Sequence, residues 1–260
     1  MDRKPLGGTP SELYDQEYFL TACEGHDAYD RSGGRELPTR LAVALELSGD
    51  ITGLRVLDVG CGRGELLHAC ASRGAAMGVG ADYAEAAMRI ARRGGLDANI
   101  SLTRANVAAL PFDGKAFDLV YALDLVEHLY PAELDAMLAE IRRVLTPGGR
   151  LVVHTMPNLW YYCYGYPLYR LVQRLRGVRL PADPRERCHY VRDMHVNEQS
   201  VRSLRQYLTR AGFDAKVFVR NTQDFGNEGS LLVRRVSRWL STTYPLAWIF
   251  CSDVFAVATA

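Results

Sequence analysis

Between residues 54 and 156 short apolar runs alternate with segments whose apolar residues recur every three or four positions. The first kind predicts buried strands: "LRVLDVG", "AMGVGAD", "ISLTRANV", "FDLVYALD" and "GRLVVHTM". The second kind predicts helices: "ELLHACASRG", "YAEAAMRIARRG" with arginines in its last turn, and "PAELDAMLAEIRRVL" opening on Pro131. Strand and helix taking turns argue for a parallel sheet covered on both faces. Before this region, "SELYDQEYFLTAC" and "ELPTRLAVALELSG" read as helices. After it the rhythm breaks over residues 157–197, rich in Tyr and Arg. It resumes with a helix in "EQSVRSLRQYLTRAG" expected to be capped by Asn197, a strand in "FDAKVFVRN", helix over residues 229–249 interrupted at Pro245, and a closing strand in "SDVFAVATA".

Composition narrows this little. A chain of 260 residues with net charge +1 has no overall pull toward nucleic acid or an anionic membrane. The six cysteines lack metal-ligand spacing, which suits free thiols in a reducing cytoplasm. The N-terminus has no apolar signal-peptide core, and "YPLAWIFCSDVFAVATA" is too short and too interrupted to span a bilayer. A cytoplasmic protein, monomeric or homodimeric, is expected.

The chemistry centres on "VLDVGCGRGE", where three glycines fall at every second position after the first strand. Such a loop exposes amides at a helix N-terminus and allows a ligand close approach. A P-loop would need Lys after the last glycine, whereas Glu65 stands there. A dinucleotide site would want glycine at 65, and a carboxylate beside a pyrophosphate is unfavourable, so that reading is weakened. Asp82, at the end of the second strand, is spaced to accept hydrogen bonds from ribose hydroxyls; the plainer reading of an Asp before a helix is an N-cap.

Four stretches in order, "VLDVGCGRGE", "GVGADY", "ANVAALPF" followed by "FDLVYALDLVEHL", and "LTPGGRL", resemble the class I S-adenosylmethionine-dependent methyltransferases. The likeness is to the broad group that includes ubiquinone-biosynthesis and many small-molecule enzymes. It implies a Rossmann-like, seven-stranded, mostly parallel α/β sheet with helices on both faces. It also implies S-adenosylmethionine as cofactor and S-adenosylhomocysteine as product. The expected layout is one methyltransferase domain: an N-terminal helical lid (1–50), a cofactor core (51–156), a helical substrate-lid insertion (157–197) and the C-terminal part of the sheet (198–260). By this resemblance Asp58, Gly60, Cys61 and Gly62 line the methionyl moiety, Asp82 binds the ribose, and Tyr83 lies against the adenine. Asn106 stands where the family usually has aspartate for the adenine amino group. Val107 offers its backbone NH to the ring, Leu123 a carbonyl to the ammonium group, and Tyr14 folds over the cofactor.

Methyl transfer needs alignment above all, with a base where the acceptor is protonated. The candidates are Asp124, Glu127 and His128 in "ALDLVEHL", with His128 as the assisting base. That signature resembles ubiquinone-type O-methyltransferases, some of which bind a divalent metal there. Asp124 replaces their first glutamate, and no metal is expected. Tyr18, His154, Trp160, Tyr164 and His195 are candidates for contact with the acceptor. The expected reaction is methyl transfer to O, N or C of a small molecule in bacterial specialised metabolism. An NAD-dependent oxidoreductase and a non-catalytic S-adenosylmethionine-binding protein are the alternatives. No nucleic-acid partner is expected. A membrane is not expected either, although "PLYRLVQRLRGVRL" is basic and amphipathic.

Overall fold

A computed structural model describes residues 13–187, 189–222 and 231–260. Seven strands form one sheet in the order β3-β2-β1-β4-β5-β7-β6. They are β1 (Arg55–Val59), β2 (Met77–Asp82), β3 (Ile100–Arg104), β4 (Phe117–Leu123), β5 (Leu145–Thr155), β6 (Asp214–Val219) and β7 (Val254–Thr259). The first five run parallel, and β7 inserts antiparallel between β5 and β6. Strand order reverses direction between β1 and β4. In such sheets the carboxyl ends beside that reversal form the ligand crevice.

Both faces are dry because alternate residues of each central strand point opposite ways. Leu119, Tyr121 and Leu123 of β4 enter one cluster with α2 (Thr39–Leu47) and α3 (Glu65–Ser72). Val120 and Ala122 enter the other, with Leu134, Met137 and Ile141 of α5 (Pro131–Val144) and Leu204 and Leu208 of α8 (Val201–Arg210). The remaining helices are α1 (His26–Ser32), α4 (Glu85–Arg93), α6 (Tyr166–Leu175), α7 (His189–Met194), α9 (Leu231–Thr242) and α10 (Ala247–Phe250).

Three local readings change. The N-terminal helix expected from "SELYDQEYFLTAC" is a π-helical turn, Tyr18–Ala22, and part of the segment lies outside the described residues. Helix α1 follows it between Gly25 and Gly33, both left-handed. Helix α8 is capped by Ser200, not Asn197: Ser200 Oγ accepts the Ser203 amide at 3.1 Å. The residues between stay out of the helix, where the Gln199 side chain donates to the Asn197 carbonyl at 2.8 Å.

Leu134 is fully buried where α5 meets the sheet. Leu134→Ala is expected to cost roughly 2–5 kcal/mol, the range for a core leucine leaving a cavity. Urea unfolding with an unchanged m-value checks it.

Candidate active site

Beyond β1 the chain turns through Gly60, Gly62 and Gly64, all left-handed with φ of 74°, 50° and 83°. A side-chain-bearing residue pays about 1–2 kcal/mol in that region. The amides of Gly60 and Cys61 donate to the Ala81 carbonyl at 2.7 and 3.3 Å, tying the loop to the end of β2. A Cβ on Gly60 would come within 3.1 Å of Leu125.

The loop borders a cavity of about 180 Å³ at the carboxyl ends of β1, β2 and β4. Asp58, Gly60, Cys61 and Gly62 line it from β1 and the loop. Asp82 and Tyr83 line it from β2, and Asn106 and Val107 from the turn after β3. Leu123, Asp124 and His128 line it from β4 and the turn beyond, and Tyr14 and Tyr18 from the N-terminal segment. Glu127, His154, Trp160, Tyr164 and His195 are not on its wall. Trp160 packs against Trp248 at 5.9 Å between ring centroids, and Tyr164 is 62% exposed.

Two arginines that the motifs did not flag organise the wall. Arg63, inside the glycine loop, is buried and donates from Nε to Glu65 at 2.7 Å. Its other nitrogens donate to the carbonyls of Phe19 at 2.7 Å and Glu24 at 2.8 Å, and the guanidinium lies over the Tyr29 ring. One side chain thus fastens the N-terminal segment to the loop. It also compensates Glu65, so the repulsion of a pyrophosphate inferred from Glu65 alone is weaker than the sequence implied. Arg40, from α2, is buried against Asp124 and lies 2.9 Å from Glu24. An arginine in an amphipathic helix ordinarily faces water, so no local signal marked it.

Asp124 itself is left-handed at φ 52° and accepts from Arg40 and from His154 Nδ1, the latter at 2.5 Å. Burial raises its pKa, but Arg40 and His154 overcome that and hold the carboxyl below the usual range. So stabilised a carboxylate is a poor base. His154 is fully buried, with Nε2 3.3 Å from Asp253. Burial favours the neutral ring, yet the two aspartates hold its pKa at about 9. It stands under the cavity floor as an imidazolium brace. Burial pushes Glu127 up to about 7, with the Asp124 charge adding to it. The Glu127 carboxyl accepts from Thr155 Oγ1 at 2.7 Å.

His128 is pushed down to about 4 by burial, with Asp124 opposing, and its ring is hydrogen-bonded to the Met194 backbone. His195 stacks edge-on to it at 4.8 Å and is pushed down to about 3, chiefly by burial. Both are neutral near pH 7. Ligand atoms of Glu127, His128 and His195 lie within 4.8 Å of one another, and His195 Nδ1 has no hydrogen-bond partner among the described residues. Two imidazoles and a carboxyl form a set that could take a divalent transition metal.

The electrostatics of the cavity are one-sided. Asp82 accepts from the amides of Gly62 at 3.0 Å and Ala84 at 2.9 Å. The second contact resembles the local capping turn anticipated for this residue, although α4 is preceded by Ala84. Asp58 is 4% exposed, and no hydrogen-bond donor reaches its carboxyl among the described residues. Burial, then Asp82, Glu65 and Asp124, raise its pKa well above the ordinary value. The Asn106 side-chain oxygen, expected from the resemblance to meet an adenine amino group, accepts the Ala108 amide at 2.9 Å, leaving one lone pair for a ligand.

Comparison with known proteins bears on this geometry. A family model described as a methyltransferase domain matches residues 56–149. The ubiquinone/menaquinone biosynthesis C-methyltransferase UbiE of Hydrogenovibrio crunogenus is 30% identical over 69% of this chain and 73% of its own length. The chain belongs to the class I S-adenosylmethionine-dependent methyltransferases. The ubiquinone biosynthesis O-methyltransferase of Chelativorans sp. is 38% identical over 40% of this chain and 41% of its own. The chain spans about half or less of the length of the curated ubiquinone-biosynthesis O-methyltransferases it matches. A solved S-adenosylmethionine-dependent methyltransferase from Mesorhizobium loti superposes with a TM-score of 0.59 at 19% identity, covering 85% of this chain and 98% of that one. That likeness concerns the fold. Family membership makes S-adenosylmethionine the cofactor, and the open carboxyl of Asp58 suits its positive charge better than a pyrophosphate.

The His154 pKa makes a signed prediction. With an ordinary value of 6.5 and a folded value of about 9, its stabilisation is complete below 6.5 and is lost as pH rises through 9. Urea midpoints measured across that window are expected to fall with rising pH, and His154→Gln to flatten the fall.

Proposed function

We propose that the protein transfers a methyl group from S-adenosylmethionine to O, N or C of a small-molecule acceptor. The observation that carries this reading is the Asp58–Asp82 pair on one glycine-loop cavity, with Asp58 open to a cationic ligand. In its bound state the cofactor presents an activated methyl on a sulfonium, which a nucleophile displaces in line. Asp82 accepts from the ribose hydroxyls while its own amide bonds fix its rotamer. Asp58 and the Leu123 carbonyl face the charged amino-acid end, Asn106 and Val107 hold the adenine edge, and Tyr83 and Tyr14 cover its face. Such fixing of reactants supplies much of the acceleration of a displacement.

His128 is the neutral imidazole on the cavity wall that we assign to the proton of an acceptor hydroxyl, and because burial makes it a weak base it takes that proton only as the hydroxyl oxygen is methylated. It is neutral at working pH. The catalytic role expected of Asp124 gives way to positioning, since both its oxygens are held by cations. The resemblance to ubiquinone-type enzymes implies a divalent metal in some members. Glu127, His128 and His195 would hold one here, where it would make an acceptor hydroxyl more acidic. The names of the relatives support O or C as the methylated atom. The acceptor remains, in our reading, a bacterial specialised metabolite met in the cytoplasm. Among the described residues no helix is long and apolar enough to cross a membrane.

Thermal-shift titration with S-adenosylhomocysteine, with NAD in parallel, tests the binding half. Saturation about a hundredfold above Kd adds roughly 2.7 kcal/mol, a shift of a few degrees. The shift is expected with S-adenosylhomocysteine and lost in Asp82→Ala; a shift with NAD alone overturns the reading. Release of S-adenosylhomocysteine over an acceptor panel tests turnover, and binding without release favours the non-catalytic alternative. For a hydroxyl acceptor, His128→Gln is expected to lower kcat about 10²–10⁴-fold with the ligand shift retained. Loss of activity to a chelator at unchanged ligand shift would instead assign His128 to a metal.

A further inference from the structure

Helix α6 carries Leu168, Leu171, Val172 and Leu175, spaced as one face of a helix. A surface helix buries such a stripe against its core. Here the four residues are 47, 53, 44 and 81% exposed. Helix α9 repeats the pattern: Leu232, Val236 and Trp239 lie at successive turns and are 70, 46 and 56% exposed. Helix α9 packs on α10, and α10 packs on the π-helical turn Tyr161–Gly165 that leads into α6, so both helices belong to one outer lobe. Two apolar stripes left in water on one lobe mark an interaction surface.

The charge around them names the partner. Residues 159–182 hold Arg170, Arg174, Arg176 and Arg179 and no acidic residue. Residues 231–252 hold Arg234, Arg235 and Arg238 and again none. The chain as a whole carries 31 basic and 30 acidic side chains, so the remainder of the molecule is net acidic by six. Exposed apolar stripes on helices that carry arginine and no acidic residue match a surface that is apolar within and negative at its rim. A second copy of the lobe would set seven arginines against seven.

We propose that α6 and α9 lie on the surface of an anionic lipid bilayer, with the leucines and Trp239 in the acyl boundary and the arginines among the headgroup phosphates. Neither helix spans the bilayer. The proposal is independent of the acceptor.

Vesicle co-sedimentation of the full chain tests it. Vesicles of phosphatidylcholine alone are compared with vesicles containing roughly a third phosphatidylglycerol, a strongly anionic surface. Binding is expected to the anionic vesicles, weakening as added salt shortens the Debye length. Arg174→Gln with Arg238→Gln is expected to weaken it roughly fivefold per arginine. Leu171→Glu with Trp239→Glu is expected to abolish it. These four side chains are exposed, and an unchanged urea midpoint verifies the fold. Should a variant not fold, the lipid and salt dependence of the parent chain still decides. Equal or no binding to the two vesicle types overturns the proposal. So does a dimer in sedimentation velocity that Leu171→Glu with Trp239→Glu dissociates, since the face would then belong to a second copy.

Discussion

The geometry of the cavity rests on the two cations that grip Asp124. A non-glycine residue in the left-handed region is held there only if its surroundings pay for it. Here Arg40 comes from α2 and His154 from β5, and His154 is anchored in turn by Asp253 at the entrance to β7. Thr222 Oγ1 adds a bond to Asp253 at 2.7 Å. This buried alternation of charge links the N-terminal helices to the antiparallel half of the sheet beneath the cavity floor. It fixes where β4 ends, and so where Leu123 presents its carbonyl and where His128 enters the cavity. Burying such ions is costly, and removing one partner of a buried pair typically costs about 3–5 kcal/mol. The arrangement therefore serves placement more than stability.

With Asp124 and Glu65 each matched to buried arginine, Asp58 and Asp82 are the carboxyls left for a ligand, and burial raises the pKa of both. That division separates the candidate ligands more sharply than the glycine spacing does. A glycine loop at a helix N-terminus by itself invites anions. The carboxyl of Asp58, which no donor reaches among the described residues, reverses that preference for the part of the ligand lying nearest. Ribose hydroxyls at Asp82 would come from either ligand, but a cationic centre near Asp58 satisfies that carboxyl, whereas a dinucleotide pyrophosphate would not.

What could be read along the chain was local and periodic. The five parallel strands and their helices came from apolar spacing, and the cavity-lining glycines, Asp58 and Asp82 from motifs that sit at strand ends by construction. What escaped was long-range. His154 looked like a group pointing into the cleft because it ends a strand; its ring turns toward Asp253, ninety-nine residues away in sequence. Arg63 carried no signal of its own within the glycine motif, and its burial depends on carbonyls about forty positions upstream. His195 was read as a possible acceptor contact, but the fold sets it edge-on behind His128. Periodicity carries no information about such pairings, since the partners lie in different elements.

The N-terminal segment and the insertion meet over the cavity, where Tyr18 and Tyr190 lie 5.3 Å apart. The first is pinned to the glycine loop by Arg63, and the second belongs to the same insertion that carries the exposed stripe of α6. Tyr190 of the insertion thus packs on the N-terminal segment, while Leu168, Leu171, Val172 and Leu175 of α6 are exposed. The same insertion joins the N-terminal segment beside the cavity and carries the outer stripe, so a contact made by α6 at the surface is tied through Tyr190 and Tyr18 to the segment that Arg63 fastens to the glycine loop.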